Sequence, residues 1–115
     1  MKNNKEILEK ANAAVKAGEN EVFLSYCTED TKWIFVGDIT LNGKEAVRKY
    51  MKVAYAEPPQ FTIELMIEEG DFVTQMGKIT LKDENGNMTT YSACDVLKFR
   101  DGKITELKAF VIKNK

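Results

Sequence analysis

A chain of 115 residues and 13.1 kDa is long enough for one substantial hydrophobic core and too short for two, so a single domain spanning residues 1–115 is expected. Hydrophobic residues make up 43% and charged ones 30%, and 17 basic residues against 18 acidic ones leave a net charge of −1. No basic excess is available for nucleic acid or an anionic membrane. The chain has no histidine, which removes the commonest general base and metal ligand and excludes serine–histidine and cysteine–histidine nucleophiles.

The opening residues, MKNNKEILEK, carry lysines but no apolar leader segment, and no apolar run approaches the roughly 20 residues of a membrane span, so a cytoplasmic protein is expected. Asn3-Asn4-Lys5-Glu6 opens a helix with a capping amide and an early acid. Ile7, Leu8, Ala11, Ala14 and Val15 then recur at helical spacing until Gly18 stops it. A second short helix carries Val22, Phe23, Tyr26 and Cys27 as its stripe. Thr31 to Val36 reads as a strand, with Trp33 and Phe35 alternating against Lys32 and Ile34. Asn42 caps a third helix with Ala46, Val47, Tyr50, Met51 and Ala54 on one face, and Pro58-Pro59 ends it. Cys27, in the second helix, and Cys94, in a later strand, lack CxxC spacing and read as reduced core residues, with no disulfide framework, metal site or cofactor implied.

From Phe61 onward the apolar period becomes two. Strands are expected over Phe61 to Ile67, Phe72 to Leu81, Met88 to Phe99 and Ile104 to Ile112, joined by Glu69-Gly70-Asp71, by the hairpin Asp83-Glu84-Asn85-Gly86-Asn87 and by Arg100-Asp101-Gly102-Lys103. Three helices with one strand among them, followed by a four-stranded antiparallel meander, make an α+β chain whose helices cover one face of a sheet. On the second of these strands Gln75, Gly77, Ile79 and Leu81 share a face, and Gly77 either leaves room for a ligand or marks a bulge.

Asp95, in Ala93-Cys94-Asp95-Val96-Leu97-Lys98-Phe99, shares a strand face with Leu97 and Phe99. The final hairpin decides its surroundings, because a slip of one residue exchanges the two faces. A type I turn with Gly102 left-handed sets Phe99 opposite Lys103 and Asp95 opposite Leu107, among Ala109 and Val111. A two-residue loop at Asp101-Gly102 pairs Phe99 with Ile104 and Asp95 with Lys108. Matching the stripes by polarity favours the first, in which desolvation raises the pKa of Asp95.

The order of elements resembles the NTF2-like superfamily, and within it the SnoaL-like and ketosteroid isomerase-like branch. So do Gly18, Tyr26-Cys27-Thr28-Glu29-Asp30, Asn42-Gly43-Lys44-Glu45 and the closing CDVLKF, RDGKI and TELKAFV. The resemblance implies an NTF2-like (cystatin-like) cone: a curved antiparallel sheet wrapped around three N-terminal helices, with a deep pocket and an outer sheet face that commonly makes a dimer. It implies that Asp95 stands at the position of an oxyanion-type aspartic acid, the one catalytic residue the resemblance carries over. The family's isomerases add a carboxylate base on the first strand and a tyrosine on the first helix. Those positions match Phe35 (or Ile34, shifted by one) and Ala11 here, which argues against steroid isomerisation.

The expected ligand-binding residues are therefore Trp33, Phe35, Tyr50, Tyr91, Leu107, Ala109 and Val111, around a small, mostly apolar molecule. Tyr50, Tyr55 or Tyr91 could instead satisfy Asp95 internally. The alternatives are an isomerase or cyclase with an unidentified base, for which Asp38 and Glu64 are the carboxylates to look for, and a non-catalytic dimerisation or protein-docking module. Phe110 and Ile112, apolar on the other face of the last strand, point to a homodimer through the outer sheet face.

Overall fold

In the computed structural model, which describes residues 3–82 and 85–114, three helices cover the concave face of a curved, open six-stranded sheet. The elements run α1 (Asn4–Lys16), α2 (Asn20–Ser25), β1 (Cys27–Phe35), β2 (Thr40–Asn42), α3 (Lys44–Ala54), β3 (Gln60–Glu69), β4 (Phe72–Lys82), β5 (Met88–Arg100) and β6 (Lys103–Lys113). The strand order is β2-β1-β6-β5-β4-β3. The sheet is mixed: β3 to β6 form the expected antiparallel meander, but β1 lies parallel to β6. Residues 83 and 84 of the expected β4–β5 hairpin lie outside the described residues.

Helix α1 is fixed at both ends. The Asn3 side chain accepts from the Glu6 N–H at 2.8 Å, and the Glu68 carboxylate of β3 accepts from the N–H groups of Asn4 and Lys5 at 3.2 and 3.1 Å. An anionic cap on these orphan donors is favoured by their hydrogen-bonding need and by the helix dipole. At the other end the N–H groups of Gly18 and Glu19 bond to the carbonyls of Val15 and Ala14, the paired arrangement that ends many helices. The buried stripe of α1, Ile7, Leu8, Ala11, Ala14 and Val15, packs with Leu24, Val47, Met51, Val73, Leu97, Phe99 and Ile104 in one core.

Around β1 and β2 the structure departs from the sequence expectations. Cys27 begins β1, and α2 stops at Ser25 with only Phe23 and Leu24 buried; Val22 is exposed. The reason is tertiary: the Tyr26 carbonyl accepts from the Ile104 N–H and the Thr31 hydroxyl donates to the Ile104 carbonyl, so the chain joins the sheet four residues before Thr31. The three-residue strand β2 was not expected. Asn42 pairs with Lys32 in the β1–β2 ladder instead of capping α3, whose N-cap is Gly43, with no side-chain bond. Helix α3 buries Val47 and Met51 and ends at Ala54, ahead of the two prolines.

The β5–β6 hairpin combines parts of both expected registers. Its loop is the two residues Asp101 and Gly102, at φ 52° and 75°; positive φ at both central positions is what a type I′ turn requires. Phe99 therefore pairs with Ile104. Thr105 is then an extra residue between Ile104 and Glu106, and this bulge returns the strands to the face-matched alignment: Leu97 opposes Leu107 and Asp95 opposes Ala109. Neither Leu107 nor Lys108 is the cross-strand partner of Asp95, but its neighbours are those of the apolar stripe.

A second bulge lies at Glu64 of β3, between the pairs Ile63–Gly77 and Leu65–Met76. A Cβ on Gly77 would sit 1.8 Å from the Thr62 carbonyl oxygen. Gly77 is thus required by the close approach of the β3 backbone at this bulge.

Candidate functional site

A cavity of about 100 Å³ lies between the concave face of the sheet, α1 and the segment that follows α3. Much of its wall is apolar, with Val15, Phe23, Trp33, Phe61, Ile79 and Leu107 contributing. These positions follow from simple periodicities: Val15 from the helical stripe of α1, and Trp33 and Leu107 from inward-facing positions on the adjacent strands β1 and β6, where they pair directly. Phe23 and Trp33 meet edge to face at 5.6 Å.

Into this wall the fold sets a chain of polar side chains. The Asn12 amide on α1 donates to Gln75 Oε1 at 2.8 Å, and Gln75 Nε2 donates to Asp95 Oδ2 at 3.2 Å. Gln75 and Asp95 are cross-strand partners on β4 and β5, so the sheet itself holds the second bond. Gln75 is 6% exposed, and its two amide ends are each used, which fixes its orientation. Burial pushes the Asp95 carboxyl up from an ordinary 3.8 to about 6, and the Gln75 hydrogen bond, which favours the ionised form, offsets only part of this. Asp95 thus changes between hydrogen-bond donor and acceptor close to neutral pH. Burial also raises the Tyr55 phenol, with smaller contributions from Tyr50 and Asp95. The Trp33 indole Nε1 is buried and has no hydrogen-bond partner among the described residues.

Of the residues expected at the site, Trp33, Asp95 and Leu107 line the cavity together. Phe35 and Tyr50 are not in its wall. They pack on Trp33, at 6.1 Å each, and on one another at 5.2 Å. Ala109 is buried opposite Asp95 without lining the space; Val111 is 41% exposed, and Tyr91, paired with Ile79, lies beyond it along β5. The inner stripe of β5 and β6 outruns the helical layer, so its far end meets solvent. Asp95 bonds to Gln75, not to a tyrosine. Asp38 and Glu64 are exposed and lie outside the wall, where Asp95 is the one carboxylate among the described residues.

Of three further wall residues, Tyr55 was weighed from the sequence only as a partner for Asp95, and Asn12 and Gln75 were not singled out as site residues. The signal for two of them was present: Asn12 interrupts the apolar stripe of Leu8, Ala11 and Val15, and Gln75 interrupts the inner row Val73, Gly77 and Ile79. Ala11, at the position of the family's helix tyrosine, is fully buried, while its neighbour Asn12 reaches the cavity. Burial lifts the Cys27 thiol to about 12, which leaves it an inert core group. Among the described residues no group of three His, Cys, Asp or Glu could hold a metal ion, and no helix is long and apolar enough to cross a membrane.

A curved, unclosed mixed sheet around three helices, with a cavity on its concave face, defines an NTF2-like α+β cone. The model of the SnoaL-like domain family matches residues 8–107, and the chain belongs to that family. No curated protein sequence matches it. Among solved structures, an NTF2-like protein of unknown function from Burkholderia pseudomallei K96243 is 17% identical with a TM-score of 0.86, covering 96% of this chain and 92% of that one. A cystatin-fold protein from Novosphingobium aromaticivorans is 19% identical with a TM-score of 0.85 (96% and 99% covered). The epoxide hydrolase/cyclase-like enzyme SalBIII, of pyran ring formation in the polyether salinomycin, is 21% identical with a TM-score of 0.85 (94% and 89%). At these identities the likeness is one of fold.

Proposed function

We propose that the cone binds a small, mostly apolar molecule, with Asp95 as its polar anchor. The observation that carries this reading is the placement of a half-buried carboxyl, held by Gln75, on the wall of a largely apolar cavity. Small-molecule sites have this composition: apolar walls and a few fixed polar groups. A structural carboxylate would more economically face solvent or a cation, and no cation pairs with Asp95 among the described residues. The SnoaL-like membership and the cyclase-like neighbour are consistent with such a pocket.

Trp33 is the chain's single tryptophan and lines the cavity, so binding is read from its emission. Titration with small cyclic molecules such as toluene and phenol is expected to give a saturable change in Trp33 fluorescence, lost when Ala93→Leu fills the wall. The absence of any saturable response would overturn the reading.

We further propose that the outer sheet face pairs with a second copy of the chain. Leu65, Ile67, Phe72, Met76, Phe110 and Ile112 are each more than two-fifths exposed, and alternation sets them all on the face away from the helices. Sedimentation velocity should show a dimer that Phe110→Lys dissociates; a monomeric parent protein would refute this.

A further inference from the structure

Gln75 uses one oxygen of the Asp95 carboxyl, Oδ2, at 3.2 Å. The other, Oδ1, accepts no hydrogen bond among the described residues. Nor is it sealed in the core, since the one buried side-chain N or O atom without a partner among the described residues is Trp33 Nε1. Oδ1 therefore keeps contact with open space, and the space that Asp95 borders on the inner face of the sheet is the cavity. The chain from Asn12 through Gln75 to Oδ2 fixes how the carboxyl is turned. A carboxylate offers about four lone-pair positions and loses hydration on burial. An unfilled oxygen in a largely apolar wall calls for a donor, and a donor with positive charge meets both needs.

No side chain among the described residues supplies that charge. Lys78 contributes to the wall from β4, but it alternates with the inward Gln75, Gly77 and Ile79, it is exposed, and no lysine acts on Asp95. Lys16 lies over the Phe61 ring at 4.8 Å and is outside the wall. Tyr55, whose phenol burial raises, is a neutral member of the same wall. Asp95 shares that wall with the rings of Phe23, Trp33, Tyr55 and Phe61, which accommodate a cation as well as a hydrocarbon.

On the basis of the ligand binding proposed above, we infer that the cavity takes a small cyclic amine in its ammonium form, with Asp95 Oδ1 accepting from the ammonium N–H and the ring against the apolar wall. Asp95 is then the specificity-determining residue, and it selects for charge. The space sets the size. An apolar cavity of roughly 150 Å³ accommodates benzene. This one, at about 100 Å³ and open on one side, suits a five-membered ring with one substituent.

Cyclopentylamine, charged at neutral pH, and cyclopentanol, a neutral donor of the same size, separate charge from hydrogen bonding. Affinities are read from the emission of the single tryptophan, Trp33, in the intact protein. The Asp95 side-chain carbonyl carbon, titrated by ¹³C NMR, gives an independent readout. At pH 8 cyclopentylamine is expected to bind about tenfold more tightly than cyclopentanol, the difference between a hydrogen bond joining two charges and one to a neutral donor. At saturation it should lower the Asp95 midpoint from about 6 to about 5, because the ammonium favours the ionised form; cyclopentanol should leave the midpoint near 6. Asp95→Asn should bring the two affinities within about threefold of each other.

Equal affinities, with an Asp95 midpoint that stays near 6 in saturating cyclopentylamine, would overturn the amine assignment while ligand binding stands. A preference that survives in Asp95→Asn would overturn the role of Asp95. No saturable response to cyclopentylamine overturns the amine assignment alone; none to cyclopentylamine, cyclopentanol, toluene or phenol overturns ligand binding as well. The midpoint in the parent protein decides the matter even if the Asp95→Asn protein fails to fold.

Discussion

Replacing Asp95 by Asn exchanges a titrating carboxyl for a neutral amide of nearly the same shape, and its consequence depends on pH with a definite sign. The carboxyl is held at about 6 in the folded chain against 3.8 ordinarily. Between those values the folded state binds more protons than the unfolded one, so its stability falls as pH rises. At 1.36 kcal/mol for each pH unit, ionising the buried group costs the folded state at most about 3 kcal/mol, and partial solvent contact lowers this toward about 2. The penalty is absent below the unfolded value near 4 and complete above 6. The amide carries no such penalty, and its oxygen still accepts from Gln75 Nε2.

Urea denaturation of the two proteins should therefore show Asp95→Asn more stable by about 2 kcal/mol near pH 8 and within about 0.5 kcal/mol of the parent near pH 4. A stability difference of the same size at both pH values would refute the reasoning, since it would mean that Asp95 is not desolvated in the folded state.

Three other outcomes follow from particular contacts. Gly77→Ala puts a Cβ 1.8 Å from the Thr62 carbonyl oxygen, and because backbone must move to relieve it, a loss of about 3 kcal/mol or more is expected in thermal or urea unfolding. Glu68→Ala removes the acceptor for the Asn4 and Lys5 N–H groups. It should lower stability by about 1 kcal/mol and speed hydrogen exchange in the first turn of α1 without touching the β4–β5 amides. Gln75→Leu takes away the hydrogen bond that favours the ionised Asp95, so the Asp95 titration followed by NMR should move above its parent value.

The four-strand meander was legible in the sequence almost residue by residue, because alternation with strong turn chemistry at Gly70 and Asp101-Gly102 leaves few other arrangements. Helix α1 was legible for the same reason, with its apolar stripe bounded by Asn3 and Gly18. What escaped was set by tertiary pairing. The entry of Cys27 into β1 depends on Ile104, some 77 positions away in the chain, and β2 is too short to show a period.

The Thr105 bulge was hidden in a similar way. A two-residue turn and a face-matched sheet look incompatible until an extra residue reconciles them. In the site, alternation leads to Trp33, Asp95 and Leu107. The polar chain through Asn12 and Gln75 was less visible, since each reads as an isolated amide until the fold sets the two 2.8 Å apart. Phe35 and Tyr50 lie on the expected elements but spend their rings on Trp33, a choice of packing that no local pattern records.

Among the described residues the fold desolvates one carboxyl on the wall of its cavity, that of Asp95. The most direct measurement is the titration of the Asp95 side-chain carbonyl carbon by ¹³C NMR in the folded protein. A midpoint near 6 is expected; a midpoint near 4, the value of a carboxyl in water, would mean that Asp95 is not desolvated in the folded protein.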